Sequence, residues 1–315
     1  MKQALCGLFL SLFFLLFLLP LTLSKCGPAP QGITVRLYLK EAKKVITLDL
    51  EEYIMGVVAA EMPANFHPEA LKAQAVAART VTVRRLKRFG GPGYPAVPGA
   101  DLSDDVNDSQ AWLSKQQLIV KWGFINFLGN WRKIAEAVEV TRGQILTYQG
   151  QPIDAVYHST SGPRTEASEA VWGVALPYLR SVECRFDQHS PKYSQEQAFT
   201  LSEVQSRLQL GKVSPASAGR PFVQILTQTG SGRVESIRLG DQVFSGTELR
   251  RRLGLNSTYF QCRHDGERLI FKTTGYGHGV GLCQYGADGL AKQGRDYRQI
   301  LTYYYQGVQL SKLAP

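Results

Sequence analysis

The stretch Leu50-Glu-Glu-Tyr-Ile-Met-Gly-Val-Val-Ala-Ala-Glu-Met-Pro-Ala-Asn-Phe-His-Pro-Glu-Ala-Leu-Lys-Ala-Gln-Ala-Val-Ala-Ala-Arg79 decides the fold. It reads as two helices joined by a short turn. Asp49 is placed to cap the first, with Glu51 and Glu52 in its first turn, where negative charge suits the helix dipole. Tyr53, Ile54, Val57, Val58 and Ala60 recur near the helical period, so one face is buried. Pro63 disfavours helical geometry at Met62, which makes Glu61 the last helical residue or nearly so. The second helix runs from about Pro68, a favoured first-turn residue, to about Arg88. Ala70, Ala73, Ala75, Ala77 and Ala78 make it small-sided, so another backbone can pack close.

Glu61 occupies an odd position for a carboxylate. The carbonyls at a helix C-terminus already point negative, and Val-Val-Ala-Ala before and Met-Pro after offer no positive partner. Both effects penalise the ionised form and raise the pKa, which is what a general acid needs near neutral pH. The plainer reading is a helix-end Glu that reaches solvent. Arg79, on the far helix, either faces the same cleft and binds an anionic or polyhydroxy ligand, or pairs with an acid elsewhere.

Two later stretches carry comparable density of signal. One is Tyr157-His-Ser-Thr-Ser-Gly162, leading to Val171-Trp-Gly173. The other is Gly275-Tyr-Gly-His-Gly-Val-Gly-Leu-Cys-Gln-Tyr-Gly-Ala287. Ser159, Thr160 and Ser161 offer hydroxyls suited to sugar contacts, or ordinary turn chemistry. Trp172 reads as a sugar-stacking ring or as core. The glycines of the second stretch permit positive φ angles and close backbone approach to a ligand. No Lys-Ser/Thr follows them, so they do not form a phosphate loop, and no serine makes a nucleophile elbow. His278, set between glycines, suits a polar contact in a cleft.

Together with the Glu-Met-Pro element, these stretches resemble the SpoIID/LytB family, named for stage II sporulation protein D. Three matches in the same order span most of the chain after residue 33. The resemblance implies a lytic transglycosylase that cuts peptidoglycan glycan strands, with Glu61 as the catalytic acid and Arg79 and Tyr285 supporting it. Tyr157, His158, Ser159, Ser161, Trp172, Tyr178, His278 and Gln284 are the candidate substrate-binding residues. Other family members were first described as enhancers of a cell-wall amidase, so a non-catalytic cell-wall binding module or amidase enhancer is the competing class. A cysteine or metal hydrolase built on Cys283 and His278 is a third class, for which no third partner is evident. Cys283 stands where the family usually has serine. Some relatives bind zinc through a Cys/His cluster that begins at the position of His158, but no cysteine follows closely here. No metal and no cofactor are expected.

An ordinary glycosidase pairs two carboxylates. The implied transglycosylase needs one. Glu61 protonates the oxygen between N-acetylmuramic acid and N-acetylglucosamine. It then takes the proton of the muramic acid 6-hydroxyl, which closes a 1,6-anhydro ring. The attacking hydroxyl is tethered, so its effective concentration is high.

Composition agrees with this compartment and partner. The chain has 315 residues, 44% hydrophobic and 20% charged, enough for one large or two small domains. A net charge of +10 favours anionic partners. Nucleic acid is disfavoured, since no zinc finger, helix-turn-helix or RNA-binding signature appears. Lys2 precedes an apolar run from Leu5 to Leu19, then Pro20 and a polar exit at Ser24-Lys25. Residues 1–25 thus read as a signal peptide or membrane anchor, and the protein as exported: periplasmic, in the cell wall, or membrane-anchored on the extracytoplasmic side. The expected partners are glycan strands and other cell-wall hydrolases, plus the membrane if the segment is retained. Cys26, Cys184, Cys262 and Cys283 lie beyond the hydrophobic run and can pair as disulfides once exported.

The remaining pattern predicts an α+β fold: mixed sheets, with the helical hairpin carrying the catalytic Glu, and two lobes around a cleft. Residues 33–315 form the main domain, with 195–262 as a second lobe or insertion. Ile33–Tyr38 and Val45–Leu48 read as a hairpin, and Trp131–Val140 as a helix. Residues 112–129 carry no expected function beyond packing over the cleft.

Overall fold

Capping and proline chemistry set the first elements where the sequence puts them. The computed structural model describes residues 32–210, 221–266 and 268–313. The targeting segment expected over residues 1–25, with Cys6 and Cys26, lies outside them. Among the described residues no helix is long and apolar enough to cross a membrane. Strand β1 (Thr34–Leu39) pairs antiparallel with β2 (Lys44–Asp49), and β3 (Leu102–Ser103) joins β1 in parallel. Asp49 caps α1 (Leu50–Glu61) by accepting the N–H groups of Glu51 and Glu52. Met62, before Pro63, turns extended (φ −119°, ψ 146°) and ends the helix at Glu61.

Helix α2 (Pro68–Arg85) is the hub of the larger lobe. Pro68 sits in its first turn, and His67 Nδ1 accepts the Glu69 N–H. The helix stops short of the expected Arg88, because Leu86 goes extended and Lys87–Phe89 form a separate 3-10 turn. Ala70, Ala73, Ala75, Ala77 and Ala78 are all fully buried. Their small size lets α2 touch α1, α4 (Phe124–Val140), β4 (Gln144–Tyr148), α8 (Gln284–Lys292) and α9 (Tyr297–Tyr304). Strand β4 lies between β14 (Gln309–Lys312) and β5 (Gln151–Pro152). Strands β6 (Tyr157–His158) and β13 (Leu282–Cys283) pair in parallel.

Most of residues 112–129 is helical, from Lys115 onward. Ser114 and Gln117 form a capping box for α3 (Lys115–Trp122), and Gly123, with φ 75°, separates it from α4. None of these residues lines the cleft around Glu61, so they do not pack over it.

A second hydrophobic cluster forms apart from the first. Phe199, Val204, Leu208, Ile237, Leu239, Leu249, Leu253, Leu269 and Phe271 are among its members. One sheet has the order β11 (Phe260–Asp265), β12 (Arg268–Thr274), β7 (Ser194–Thr200). The other has the order β10 (Gln242–Ser245), β9 (Val234–Leu239), β8 (Val223–Gln228). Thr200 caps α6 (Leu201–Leu208), and Ser245 caps α7 (Gly246–Leu253). The whole is an α+β fold of helices with several small mixed sheets.

Candidate active-site cleft

Glu61 ends α1 at the edge of a cleft of about 910 Å³. The cleft is lined by Glu61, Arg84, Arg85, Gln110, Asp154, Tyr157, Trp172 and His278, among others. Glu61 Oε1 accepts the Ala111 N–H at 2.9 Å. The Tyr157 and Gln284 side chains approach the carboxyl and, with that N–H, favour its ionised form. Burial outweighs these three contacts and raises its pKa above the usual 4.5. The last turn of α1 holds no basic residue to oppose the shift.

A polar chain steadies this group from behind. The Tyr157 hydroxyl donates to Gln110 Oε1 at 2.8 Å, and Gln110 Nε2 donates to Thr82 Oγ1 at 3.0 Å. Gln284 Nε2 donates to Gln74 Oε1 at 3.4 Å. Thr82 and Gln74 belong to α2, so the hub helix fixes the distance between Glu61 and its partners. Burial, with the Glu61 charge adding, keeps the Tyr157 phenol well above its ordinary pKa, so it stays a donor.

His278 and Trp172 form part of the wall. Their ring centroids are 5.3 Å apart, and Trp172 is 45% exposed. Burial and the nearby Arg250 push the His278 pKa down to about 4. Its Nδ1 accepts the Val280 N–H at 3.1 Å, so the neutral ring carries its proton on Nε2.

Thus Glu61, Tyr157, Trp172 and His278 share the cleft, and Gln284 reaches Glu61 from its buried side. The other expected site residues do not line it. Arg79 is fully buried and forms an ion pair with Glu51 at 2.5 Å. Its guanidinium also donates to the carbonyls of Gln144 (3.1 Å) and Val138 (3.3 Å), so it holds α2 to α4 and β4. Glu51, read from sequence as a dipole partner, is the buried counter-ion. Tyr285 is half-buried outside the cleft lining, with its ring edge-on to Phe66 at 4.8 Å and its N–H bonded to Ser159 O. Tyr178 is buried; its hydroxyl accepts the Asp154 N–H at 3.2 Å, one step removed from the cleft.

The Thr160 and Ser161 hydroxyls are spent within the protein, Thr160 on Ser190 and Ser161 on His158. His158 is buried, with Nδ1 3.0 Å from Val280 O and Nε2 2.8 Å from Ser161 Oγ. A carbonyl on Nδ1 requires that nitrogen to hold the proton, so Ser161 donates to Nε2. Burial holds the His158 pKa well below its usual value, and the ring is neutral. Ser161 is fully buried, and Ser159 Oγ lies 3.3 Å from Thr160 Oγ1. The glycine-rich loop packs against this same segment. A Cβ on Gly277 (φ 117°) would lie 2.8 Å from His158 Cβ, and one on Gly281 (φ 73°) would lie 2.2 Å from Val156 O.

Sequence reasoning missed Arg84, Arg85, Gln110 and Asp154. Arg84 and Arg85 sit in the last turn of α2, where they read as dipole partners. Gln110 follows a polar loop with no motif of its own. The cysteine-hydrolase class loses its nucleophile: Cys283 is fully buried, and burial pushes its thiol well above the ordinary range. Among the described residues, Cys184, Asp187 and Cys283 form the one group of three potential metal ligands, and they lie away from the cleft lining.

The chain has relatives among known proteins. Residues 38–148 match the family model described as "Stage II sporulation protein". The chain is 40% identical over 280 residues to stage II sporulation protein D of Bacillus subtilis, covering 89% of this chain and 79% of that one. The same figures hold for stage II sporulation protein D of Bacillus amyloliquefaciens. It is 28% identical over 311 residues to the amidase enhancer of Bacillus subtilis, covering 82% of this chain but 40% of that longer protein. The chain belongs to the stage II sporulation protein D family, and its role is cell-wall-related.

Proposed function

We propose that the protein is a peptidoglycan lytic transglycosylase in which Glu61 is the acid and then the base. The observation that carries this reading is the state of Glu61: a largely buried carboxyl with a raised pKa, opening onto a polar groove. Protonated, it donates to the bridging oxygen between N-acetylmuramic acid and N-acetylglucosamine. Ionised by that transfer, it is stabilised by the Ala111 N–H, with the polar side chains of Tyr157 and Gln284 beside it. It then withdraws the 6-hydroxyl proton as the anhydro ring closes. Trp172 offers a face for a sugar ring, and Arg84 and Arg85 suit the anionic polymer. Export through residues 1–25 would deliver the protein to that substrate.

Asp154 and Asp108 also line the cleft, which favours a two-carboxylate hydrolase as the second reading. The relative described as an amidase enhancer supports a third, a module that binds glycan without cutting it. One experiment separates them: digestion of purified glycan strands, with and without stem peptides, by wild type and Glu61→Gln. Products ending in 1,6-anhydro sugar from wild type alone support the proposal. Reducing ends in their place mean a hydrolase. No cleavage by either, with strand binding retained in both, means a binding module.

A further inference from the structure

Cys184 and Cys283 come from segments far apart in the chain, and both are fully buried. Their Sγ atoms and a carboxylate oxygen of Asp187 all lie within 4.8 Å of one another. Cys184 Sγ lies 3.2 Å from the Tyr304 hydroxyl, and Cys283 Sγ lies 3.5 Å from Asp187 Oδ2. Their backbones are pinned independently. The Cys184 N–H donates to Pro163 O at 2.8 Å, and Cys283 pairs with His158 in the β13–β6 ladder. Gly286 leaves the space that the pair fills: a Cβ there would lie 2.6 Å from Cys184 Sγ and 3.2 Å from Cys283 Cβ.

We propose that Cys184 and Cys283 are joined by a disulfide bond in the exported protein. The two sulfurs, within 4.8 Å of each other, would close to an S–S bond of about 2 Å. The cross-link ties the segment that follows α5 (Ser168–Trp172) to the N-cap of α8. Gln284, whose side chain approaches Glu61, is the next residue, so the bond anchors the chain beside that carboxyl.

The oxidant is a second disulfide, that of a small-molecule or protein thiol–disulfide exchanger. The Cys184 thiolate attacks it, forming a mixed disulfide and expelling one thiolate, which takes up a proton. The Cys283 thiolate then attacks Cys184 Sγ and expels the second. Two protein thiols are oxidised, and one disulfide is reduced to two thiols. The reverse order, with Cys283 attacking first, balances identically. Neither sulfur is accessible in the folded chain, so the exchange takes place as the chain folds. Burial afterwards protects the bond from reductant.

A bound metal is the competing occupant, since Asp187 Oδ1 is buried without a partner. The cluster supplies three ligands where a closed structural site uses about four. Asp187 Oδ2 is already committed to the N–H groups of Ser161 (2.7 Å) and Gly162 (2.9 Å).

The test begins with the full chain exported into an oxidising compartment and purified without reductant. It is denatured in an alkylating agent, digested and weighed. The expected result is a Cys184–Cys283 cross-linked peptide pair, lighter by two hydrogens than the reduced pair, with Cys262 alkylated. Cys262 is the internal control, a partly buried lone thiol whose pKa burial pushes up to about 12. Alkylated Cys184 and Cys283, either one paired with another cysteine, or both free with zinc released on denaturation, each overturn the proposal. A second arm uses melting. Adding reductant while the chain unfolds is expected to lower the wild-type midpoint by about 10 °C. The Cys184→Ser/Cys283→Ser chain is expected to show no change. An equal shift in both overturns it.

Discussion

Replacing Arg79 by alanine separates a structural arginine from a catalytic one. The guanidinium is fully buried, bonds Glu51 at 2.5–3.1 Å and donates to the Gln144 and Val138 carbonyls. Truncation leaves the Glu51 carboxylate buried with only the Gly143 N–H (3.1 Å) and its own helix cap nearby. Removing one partner of a buried pair costs about 3–5 kcal/mol. That is a large share of the roughly 5–15 kcal/mol that holds a domain together. It corresponds to a midpoint loss on the order of 10 °C. Urea denaturation followed by far-ultraviolet circular dichroism measures the loss. The variant Glu51→Met/Arg79→Met removes both charges and fills most of the space, so it recovers most of the stability. It is also expected to keep strand cleavage. The reasoning is refuted if Arg79→Ala unfolds at the wild-type urea concentration. It is equally refuted if the double variant is stable yet inactive, because Arg79 would then act on the substrate.

Glu61→Gln is expected to lower cleavage by about 10²–10⁴-fold, measured as anhydro product per enzyme. The same variant tests the raised carboxyl pKa. A Glu whose folded pKa exceeds its unfolded value costs stability once ionised, so the substitution is neutral or stabilising above the folded pKa. That gain disappears below the unfolded value of about 4.3, and a gain that grows on acidification contradicts the shift. His278, with a pKa near 4, is neutral throughout the physiological range. Cleavage by His278→Asn, assayed from pH 5.5 to 8, should therefore keep the wild-type pH profile; a lost limb near pH 6.5 would show a titrating histidine. Gly289→Ala gains helix propensity of about 1 kcal/mol in α8, but its Cβ would lie 2.0 Å from Phe186 O. The clash prevails, with a net loss of about 1–3 kcal/mol in denaturation; an unchanged midpoint rejects the close approach.

What could be read without coordinates was local. Asp49 accepts N–H groups two and three residues on, Pro63 dictates the geometry of its neighbour, and the alanines of α2 announce close packing. The position of Glu61 at a helix end, the basis of its candidacy, follows from these rules alone. The Tyr157–Gly162 and Gly275–Ala287 stretches were visible as unusual, but their roles were not. Their hydroxyls and glycines fit each other, a contact between segments that no spacing encodes.

Tertiary packing decided the rest, because burial and pairing depend on which distant segments meet. Arg79 reads identically whether it points into a groove or across a core; only the arrival of Glu51, Val138 and Gln144 fixes it inside. Tyr157 and Gln284 reach Glu61 because β6 and β13 pair and α8 packs on α2. Short-range backbone rules depend on neighbours in sequence and were legible there, whereas the electrostatics of the carboxyl depend on neighbours in space.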